Sequence, residues 1–496
     1  MKKISATYRV AFIIVLALTF SACEKFLDKD PQGALTQATF PTTESDALLA
    51  VNASYATMID LSFHSGIFPL TDIMSDDARK GSNPTDASSE IGVYDNFKFT
   101  KTGSELSSWW AVLYQGIKRT NVVIEKVPGI QMEEPLRNRY IAEAKFLRAL
   151  FYFDLVRAWG DVPLITALNP PVNLERSAKV DVYNQIESDL LAAINDLDEK
   201  SHQPSAQLGR ASKGSARALL AKVYLFQGDF VNAEKYAMEV MDSNMYGLEP
   251  VFTDANGVNG EQGLESVFEI GAIGIEGPGG DGYGNVQGVR GTPNRGWGFN
   301  RPTPDLRASF EAGDPRLKGT IIDLGDVIDG ITIFGDGTTP DVTKDAEGNI
   351  LETECYNRKV WTPGTDVASQ FGHNKRILRY ADVLLMAAEA LNENNKPSQA
   401  LSYLNMVRQR ARQGNSSILA EITTTEKNAL RDIILKERRS ELALEGHRFW
   451  DLVRTGKAAE VLGPLGFVAG KNELFPIPQS EIDISQGSLT QNPNWN

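Results

Sequence analysis

Cysteine is nearly absent from this chain: 496 residues contain two, Cys23 and Cys355. That excludes a disulfide-stapled scaffold, and neither cysteine has a partner at zinc-site spacing. Histidine is almost as scarce. His64, His202, His373 and His447 lie far apart in sequence, so nothing marks out a nucleophile–histidine–acid constellation. Positive charge is in the minority, with 50 Lys and Arg against 64 Asp and Glu and a formal net charge of −14. Such a chain has no general attraction for nucleic acid. Past residue 22 no continuous apolar run is long enough to cross a bilayer. The glycine-rich GPGGDGYGN has neither the spacing nor the Gly-Lys-Ser/Thr of a phosphate loop. Asp323, Asp326, Asp329 and Asp336 have no calcium-loop pattern with its terminal Glu, and read as solvated surface carboxylates. No cofactor or metal is implied.

Aromatic residues are plentiful, with 22 Phe, 14 Tyr and 7 Trp, enough for a large folded core. The N-terminus carries Lys2, Lys3 and Arg9, then an apolar run from Val10 to Phe20, then Ser21-Ala22-Cys23. This is the pattern of a bacterial lipoprotein signal, removed as residues 1–22, with Cys23 acylated and inserted in membrane lipid. Phe20 stands where Leu is commoner. Residues 23–40 then form a tether, and acylation leaves Cys355 unpaired; a single disulfide is the alternative.

Helical periodicity dominates residues 41–245 and 376–462. Ala142, Phe146, Ala149, Phe153 and Val156 recur at steps of three and four, up to a stop at Gly160-Asp161-Val162-Pro163. Ala216, Leu220, Val223 and Phe226 form one stripe, Gly228-Asp229 a break, and Ala233, Ala237 and Val240 the answering stripe. Leu384, Ala388 and Leu391, a turn at Asn394-Asn395, then Ala400, Leu404, Val407 and Ala411 repeat that arrangement. Both are helix-turn-helix units of tetratricopeptide type. Adjacent Trp109 and Trp110 cannot point the same way, so one is expected to pack and the other to reach the surface.

Residues 246–375 read differently: turn-rich and irregular, with strand-like pieces at Ser266–Ile270 and Gly330–Phe334. They form a loop-rich insertion on the helical layer, within one compact unit spanning 41–496. Residues 463–496 read as an extended tail that wraps back over the body, with Trp495 as a tail contact. Glu437, Glu441 and Glu445 are spaced to repel along one helix. Arg438, Arg439 and Arg448 are expected to neutralise them, helped by Arg408, Arg410 or Arg412. A structural ionic network built on Arg438, Glu441, Glu445, Arg448 and Arg408 is preferred over catalysis by paired carboxylates. No catalytic residue is assigned.

The motifs fall in a recognisable order. Trp110-x3-Tyr114-x2-Ile117 precedes Arg119-Thr120-Asn121, and Glu143-Ala144-Lys145-Phe146-Leu147-Arg148-Ala149 precedes Tyr152-Phe153-Asp154-Leu155-Val156-Arg157. Arg379-Tyr380-Ala381-Asp382, Glu437-Arg438-Arg439-x-Glu441-Leu442, Glu445-Gly446-x-Arg448, Phe475-Pro476-Ile477-Pro478 and Gln491-Asn492-Pro493 follow. Together with Cys23, the chain resembles the SusD/RagB family of outer-membrane lipoproteins of Bacteroidetes. The resemblance implies a mostly α fold, with four tetratricopeptide-type helix pairs supporting a loop-rich region with short strands. It implies a protein anchored in the outer membrane, facing the exterior, that is not an enzyme. Its partners would be a glycan ligand and a SusC-like TonB-dependent transporter. Peptide or other nutrient binding, or a mainly transporter-docking role, are the alternatives; a surface glycan hydrolase is a weaker third.

Sugars offer apolar C–H faces and hydroxyl rims, so a binding surface needs an aromatic platform and polar partners. Tyr283, Asn285, Arg290, Arg295, Trp297, Phe299 and Asn300 lie close together in the insertion and Trp361 lies beyond it. Asp72, Asp77 and Arg79 stand where the family places polar ligand contacts. For Trp297 the competing reading is a core residue pinning the insertion to the helices.

Overall fold

The computed structural model describes residues 40–495, apart from 66–67, 172, 205–206, 275–281, 341, 345, 349 and 364–371. The signal segment, Cys23 and nearly all of the tether therefore lie outside the described residues. Among the described residues no helix is long and apolar enough to cross a membrane.

Local chemistry sets the helix pairs. Ser212 caps the Lys213–Gln227 helix with its hydroxyl, accepting from the Ser215 N–H. Only Gly228 and Asp229 separate that helix from the Phe230–Asp242 helix, whose Asn232 N–H is capped by Asp229. So short a turn forces the two helices antiparallel. Ala216, Ala221, Ala233 and Ala237 are fully buried, and the rings of Tyr224 and Tyr236 stack at 5.8 Å. The second unit joins Tyr380–Glu393 to Pro397–Ala411, with Pro397 in the first helical turn, where its missing N–H is not needed. The two units stack on each other. Asn394 Nδ2 donates to the Phe230 carbonyl at 2.9 Å and to Glu234 at 2.7 Å.

The longest helices, Ser104–Lys126 and Glu134–Trp159, pack closely because of one residue. A Cβ placed at Gly116 would sit 2.5 Å from the ring of Phe151, which is itself fully buried. Trp109 and Trp110 are both buried, contrary to the expectation that one reaches the surface. Trp109 lies 5.0 Å from Trp159, Trp110 meets the same ring edge-on at 5.1 Å, and Trp110 hydrogen-bonds Glu481 of the C-terminal segment. The tail is the reason: it covers the face that a lone helix would have left open. Trp159 Nε1 donates to the Pro476 carbonyl at 2.9 Å, and Asn492 Nδ2 donates to the carbonyls of Trp159 and Phe475. Trp495 packs on Phe99 at 5.1 Å. Each aromatic buried here contributes roughly 2–3 kcal/mol before the entropy of ordering the tail is subtracted.

Among the described residues the insertion takes part in five separate two-stranded antiparallel pairings. β2 (Ser266–Ile270) pairs with β10 (Lys375–Arg379), which runs directly into the Tyr380–Glu393 helix. β4 (Ile321–Asp323) pairs with β9 (Cys355–Asn357). β1 (Ala78–Gly81) leaves the N-terminal part to pair with β3 (Phe299–Pro302), matching Arg79 with Arg301 and Gly81 with Phe299. The second predicted strand shrinks to a hairpin of β5 (Val327–Ile328) and β6 (Ile331–Thr332). β7 (Val342–Lys344) and β8 (Ile350–Thr353) form the remaining pairing. Since β1 comes from the helical part, the loop at 72–86 and the insertion form one surface.

Candidate functional site

A layer of buried charge lies beneath the insertion. Glu441 is fully buried; Arg379 reaches it at 2.7 Å, Arg316 at 3.1 Å, and Arg410 forms a short contact. Glu445 is held by Lys359 at 2.6 Å and Arg379 at 2.7 Å. Glu437 is held by Arg316 at 2.6 Å and Arg408 at 2.7 Å. Burial alone would raise the Glu441 carboxyl, but Arg410, Arg379 and Arg316 hold it at about 2. Glu445 is depressed further, burial being outweighed by Arg379 and Lys359.

The expected partners of these glutamates need correction. Arg438 pairs with Asp382 at 2.8 Å and Asp451 at 2.9 Å. Arg439 pairs with Asp76, Asp77 and Asp305, and Arg448 with Asp76 at 2.8 Å. These arginines leave their helix on other faces, toward carboxylates far away in sequence. Of the expected helpers, Arg408 pairs with Glu437 and Arg410 with Glu441; the other cations that answer the glutamates come from β10, the Arg316–Thr320 helix and Arg358–Val360. Every carboxylate in this layer has a close cation, which suits a structural role better than an acid–base pair with poised pKa values.

Three candidate ligand residues prove to be internal. Asp72 is fully buried; it accepts from the Gly446 N–H at 2.9 Å and from Asn300 Nδ2 at 3.0 Å. Burial, opposed by Lys375, pushes its carboxyl up to about 7. Asp77 is fully buried against Arg439 at 2.7 Å. Tyr283 is buried, with its hydroxyl accepting from Lys375 Nζ at 2.8 Å. None of the three presents its side chain to solvent. Arg79 is half-buried and its guanidinium turns back onto the carbonyls of Ala78 and Ser75.

The loop at 288–298 holds the remaining candidates. Its base is fixed by a buried amide network: Gln287 Oε1 accepts from Asn300 Nδ2 at 2.7 Å and Asn357 Nδ2 at 3.1 Å, and Gln287 Nε2 donates to the Tyr283 carbonyl at 2.9 Å. Above it the loop folds on itself, with Arg295 N–H donating to the Val289 carbonyl and Gly298 N–H to the Gly288 carbonyl. A Cβ at Gly288 would lie 2.3 Å from the Arg295 carbonyl oxygen, and one at Gly296 2.2 Å from the Asn285 carbonyl oxygen, so glycine is required at both. Trp297 N–H donates to the same Asn285 carbonyl. Asn285 is half-buried, and its buried Oδ1 has no hydrogen-bond partner among the described residues.

Fixed in this way, Trp297 leaves 54 % of its surface exposed, which sets aside the core reading. Trp361 is half-buried; its Nε1 donates to Asp329 at 2.8 Å and its ring faces the buried Arg295 guanidinium at 5.8 Å. Sequence reasoning missed Phe334, which is 66 % exposed. Its N–H donates to the Thr292 carbonyl, so the Phe334 segment is zipped to the 288–298 loop. An apolar residue in a glycine-rich turn was the available signal. Arg290, another member of the expected cluster, bridges Asp86 and Asp336 with its guanidinium. The insertion's aspartates are less free than expected: Asp323 and Asp326 pair with Lys318 at 2.8 and 2.9 Å. Cys355 is buried, its thiol pushed up to about 11 by burial, which makes it unreactive at neutral pH. Among the described residues no His, Cys, Asp and Glu cluster is arranged to hold a metal ion.

Comparison with known proteins decides the family. One family model, the SusD family, matches residues 265–466; another, described as starch-binding associating with outer membrane, matches residues 25–225. SusD-like protein P2 of Formosa agariphila is 32% identical over 98% of this chain and 99% of its own. The chain belongs to the SusD family. Its mostly helical fold with short strands is the SusD fold. A solved laminarin-binding SusD-like protein is 32% identical, with a TM-score of 0.77, covering 92% of this chain and 100% of that one. Surface glycan-binding protein A from Bacteroides thetaiotaomicron, solved with laminarihexaose, is 26% identical with a TM-score of 0.74, covering 91% and 100%. The two solved relatives carry the names of glycan-binding proteins.

Proposed function

We propose that this protein captures a glycan on the loop face carrying Trp297 and passes it to a TonB-dependent outer-membrane transporter, with no chemical step of its own. The observation that carries the reading is an indole more than half exposed on a loop whose backbone is fixed by internal hydrogen bonds. A rigid exposed aromatic ring binds the C–H face of a sugar without first being ordered, which lowers the entropic cost of association. Phe334 adds apolar surface, and the Trp361–Asp329 pair supplies polar groups nearby in the fold. The names of the laminarin-binding relatives make laminarin the first ligand to try. The lipoprotein pattern at Cys23 supports a position on the outer membrane, facing outward, within reach of such a transporter.

Calorimetry of the chain starting after Cys23, against laminarin, starch, other polysaccharides and peptides, tests this. Saturable glycan binding that weakens about tenfold in Trp297→Ala at an unchanged melting temperature supports it. Binding of peptides alone, or full glycan affinity in a folded Trp297→Ala variant, refutes the ligand class or the site respectively.

A further inference from the structure

Around Trp297 the charges are already spoken for. Arg290 extends from the same loop, packed against Gly298: a Cβ added at Gly298 would lie 3.1 Å from the Arg290 Cβ. Its side chain is 31% exposed, so solvent and ligand reach it. Its Nε pairs with Asp336 at 2.6 Å, while Nη1 donates to Asp86 in a short contact and to Ser82 Oγ at 2.8 Å. Both carboxylates are themselves fixed. Asp336 accepts from the Thr338 and Thr339 N–H groups at 2.9 and 2.7 Å, and Asp86 accepts from Ser82 Oγ at 2.9 Å. One guanidinium thus faces two carboxylates, with the Lys80 ammonium as a further cation in the field of Asp86. Elsewhere in the insertion Arg301 pairs with Glu352 at 3.1 Å, Arg307 with Asp323 at 2.5 Å and Lys318 with Asp323 and Asp326. Half-buried Arg358 lies in the field of Asp326 and Asp329.

We propose that Arg290, locked between Asp86 and Asp336, excludes sulfated and uronic ligands from the Trp297 face and so restricts it to uncharged glycans. This rests on the glycan reading for its ligand and on the ion pairs for its selectivity. A sulfate ester or uronate is recognised by unpaired cations, arginine above all, because its planar fork matches the oxyanion. Here an incoming anion meets an arginine whose Nε and Nη1 are already paired with two fixed carboxylates. A neutral sugar needs no counter-charge, only the indole face and hydrogen-bond partners. The same contact has a mechanical effect. It ties together the segments 82–86, 290–298 and 334–339, so cancelling the charge and holding the aromatic loop are one interaction.

The test compares native laminarin with chemically sulfated laminarin, which share a backbone, by calorimetry in low and high salt. Wild type should bind the native form at least about tenfold more tightly. The pair Asp86→Asn and Asp336→Asn frees Arg290 and removes two negative charges. It should gain roughly fivefold or more for the sulfated form at low salt, a gain abolished at high salt and by adding Arg290→Ala. Should the pair fail to fold, Asp86→Asn alone leaves the Asp336 turn intact and should show the smaller gain. Equal or tighter wild-type binding of the sulfated form, or no gain in a folded freed variant, overturns the proposal. Failure of the glycan reading looks different. No native glycan would bind, yet the freed variant would still acquire salt-sensitive, Arg290-dependent binding of the sulfated polymer, which supports the exclusion by charge.

Discussion

Replacing Glu441 with Gln removes one charge from a carboxylate paired with three arginines and keeps the side chain's shape. In the native state its carboxyl is held at about 2, against 4.5 for an ordinary glutamate. Two to three pKa units at about 1.4 kcal/mol each correspond to roughly 3 kcal/mol of preference for the charged form in the fold. That agrees with the roughly 3–5 kcal/mol expected when one partner of a buried pair is removed. The lower end applies, because the three arginines keep other carboxylates: Arg379 has Glu265 and Glu445, Arg410 has Glu265, and Arg316 has Asp314 and Glu437. About 450 ordered residues at roughly 2 cal/mol/K each give an unfolding entropy near 1 kcal/mol/K, so Glu441→Gln should melt about 3 °C lower at neutral pH in scanning calorimetry. The pH dependence is the sharper check. A carboxyl with a depressed native pKa contributes its full stability above the unfolded value and loses it as pH falls through the native one. The gap between wild type and Glu441→Gln should therefore be constant above pH about 4.5 and shrink toward pH about 2. An unchanged melting temperature at neutral pH, or a gap that widens on acidification, would refute the electrostatic account of this layer.

Two other perturbations probe different links. Gly116→Val drives side-chain atoms into the buried Phe151 ring and should destabilise by about 2–3 kcal/mol, read as a melting temperature lower by a few degrees; no change would mean the two long helices separate freely. Asp72 is the opposite case to Glu441: its native carboxyl is raised to about 7, so the native state binds more protons than the unfolded chain, and stability falls as pH rises from about 4 through 7. Asp72→Asn should flatten that decline in a melting-temperature profile, and an identical slope in the variant would count against burial as the cause.

The helical layer was legible because its cause is local. Small residues at steps of three and four, the Gly228-Asp229 break and the Asn394-Asn395 turn lie within single segments, and the structure forms helix pairs there. The aromatic loop was legible as a neighbourhood only. Composition put Trp297, Asn285 and Arg295 near one another, but whether Trp297 packed or stood free depended on the hydrogen bonds that close 288–298 and on the Gln287 network below it. Asp72 and Asp77 show the limit from the other side. Read along the chain they are candidates for polar ligand contacts; in the fold Gly446, Asn300 and Arg439 close over them.

The sequence by itself determined the family, the helical grammar and the presence of a charged core, because each is carried by short-range spacing and by motifs that keep their order along the chain. Only the tertiary structure decided which arginine answers which carboxylate and which aromatic faces water. Arg316, Arg379 and Glu441 lie far apart along the chain, as do Asp86, Arg290 and Asp336. An ion pair acts over a few ångströms and is indifferent to sequence separation, so its partners exist only once the helical layer has placed the loops upon it.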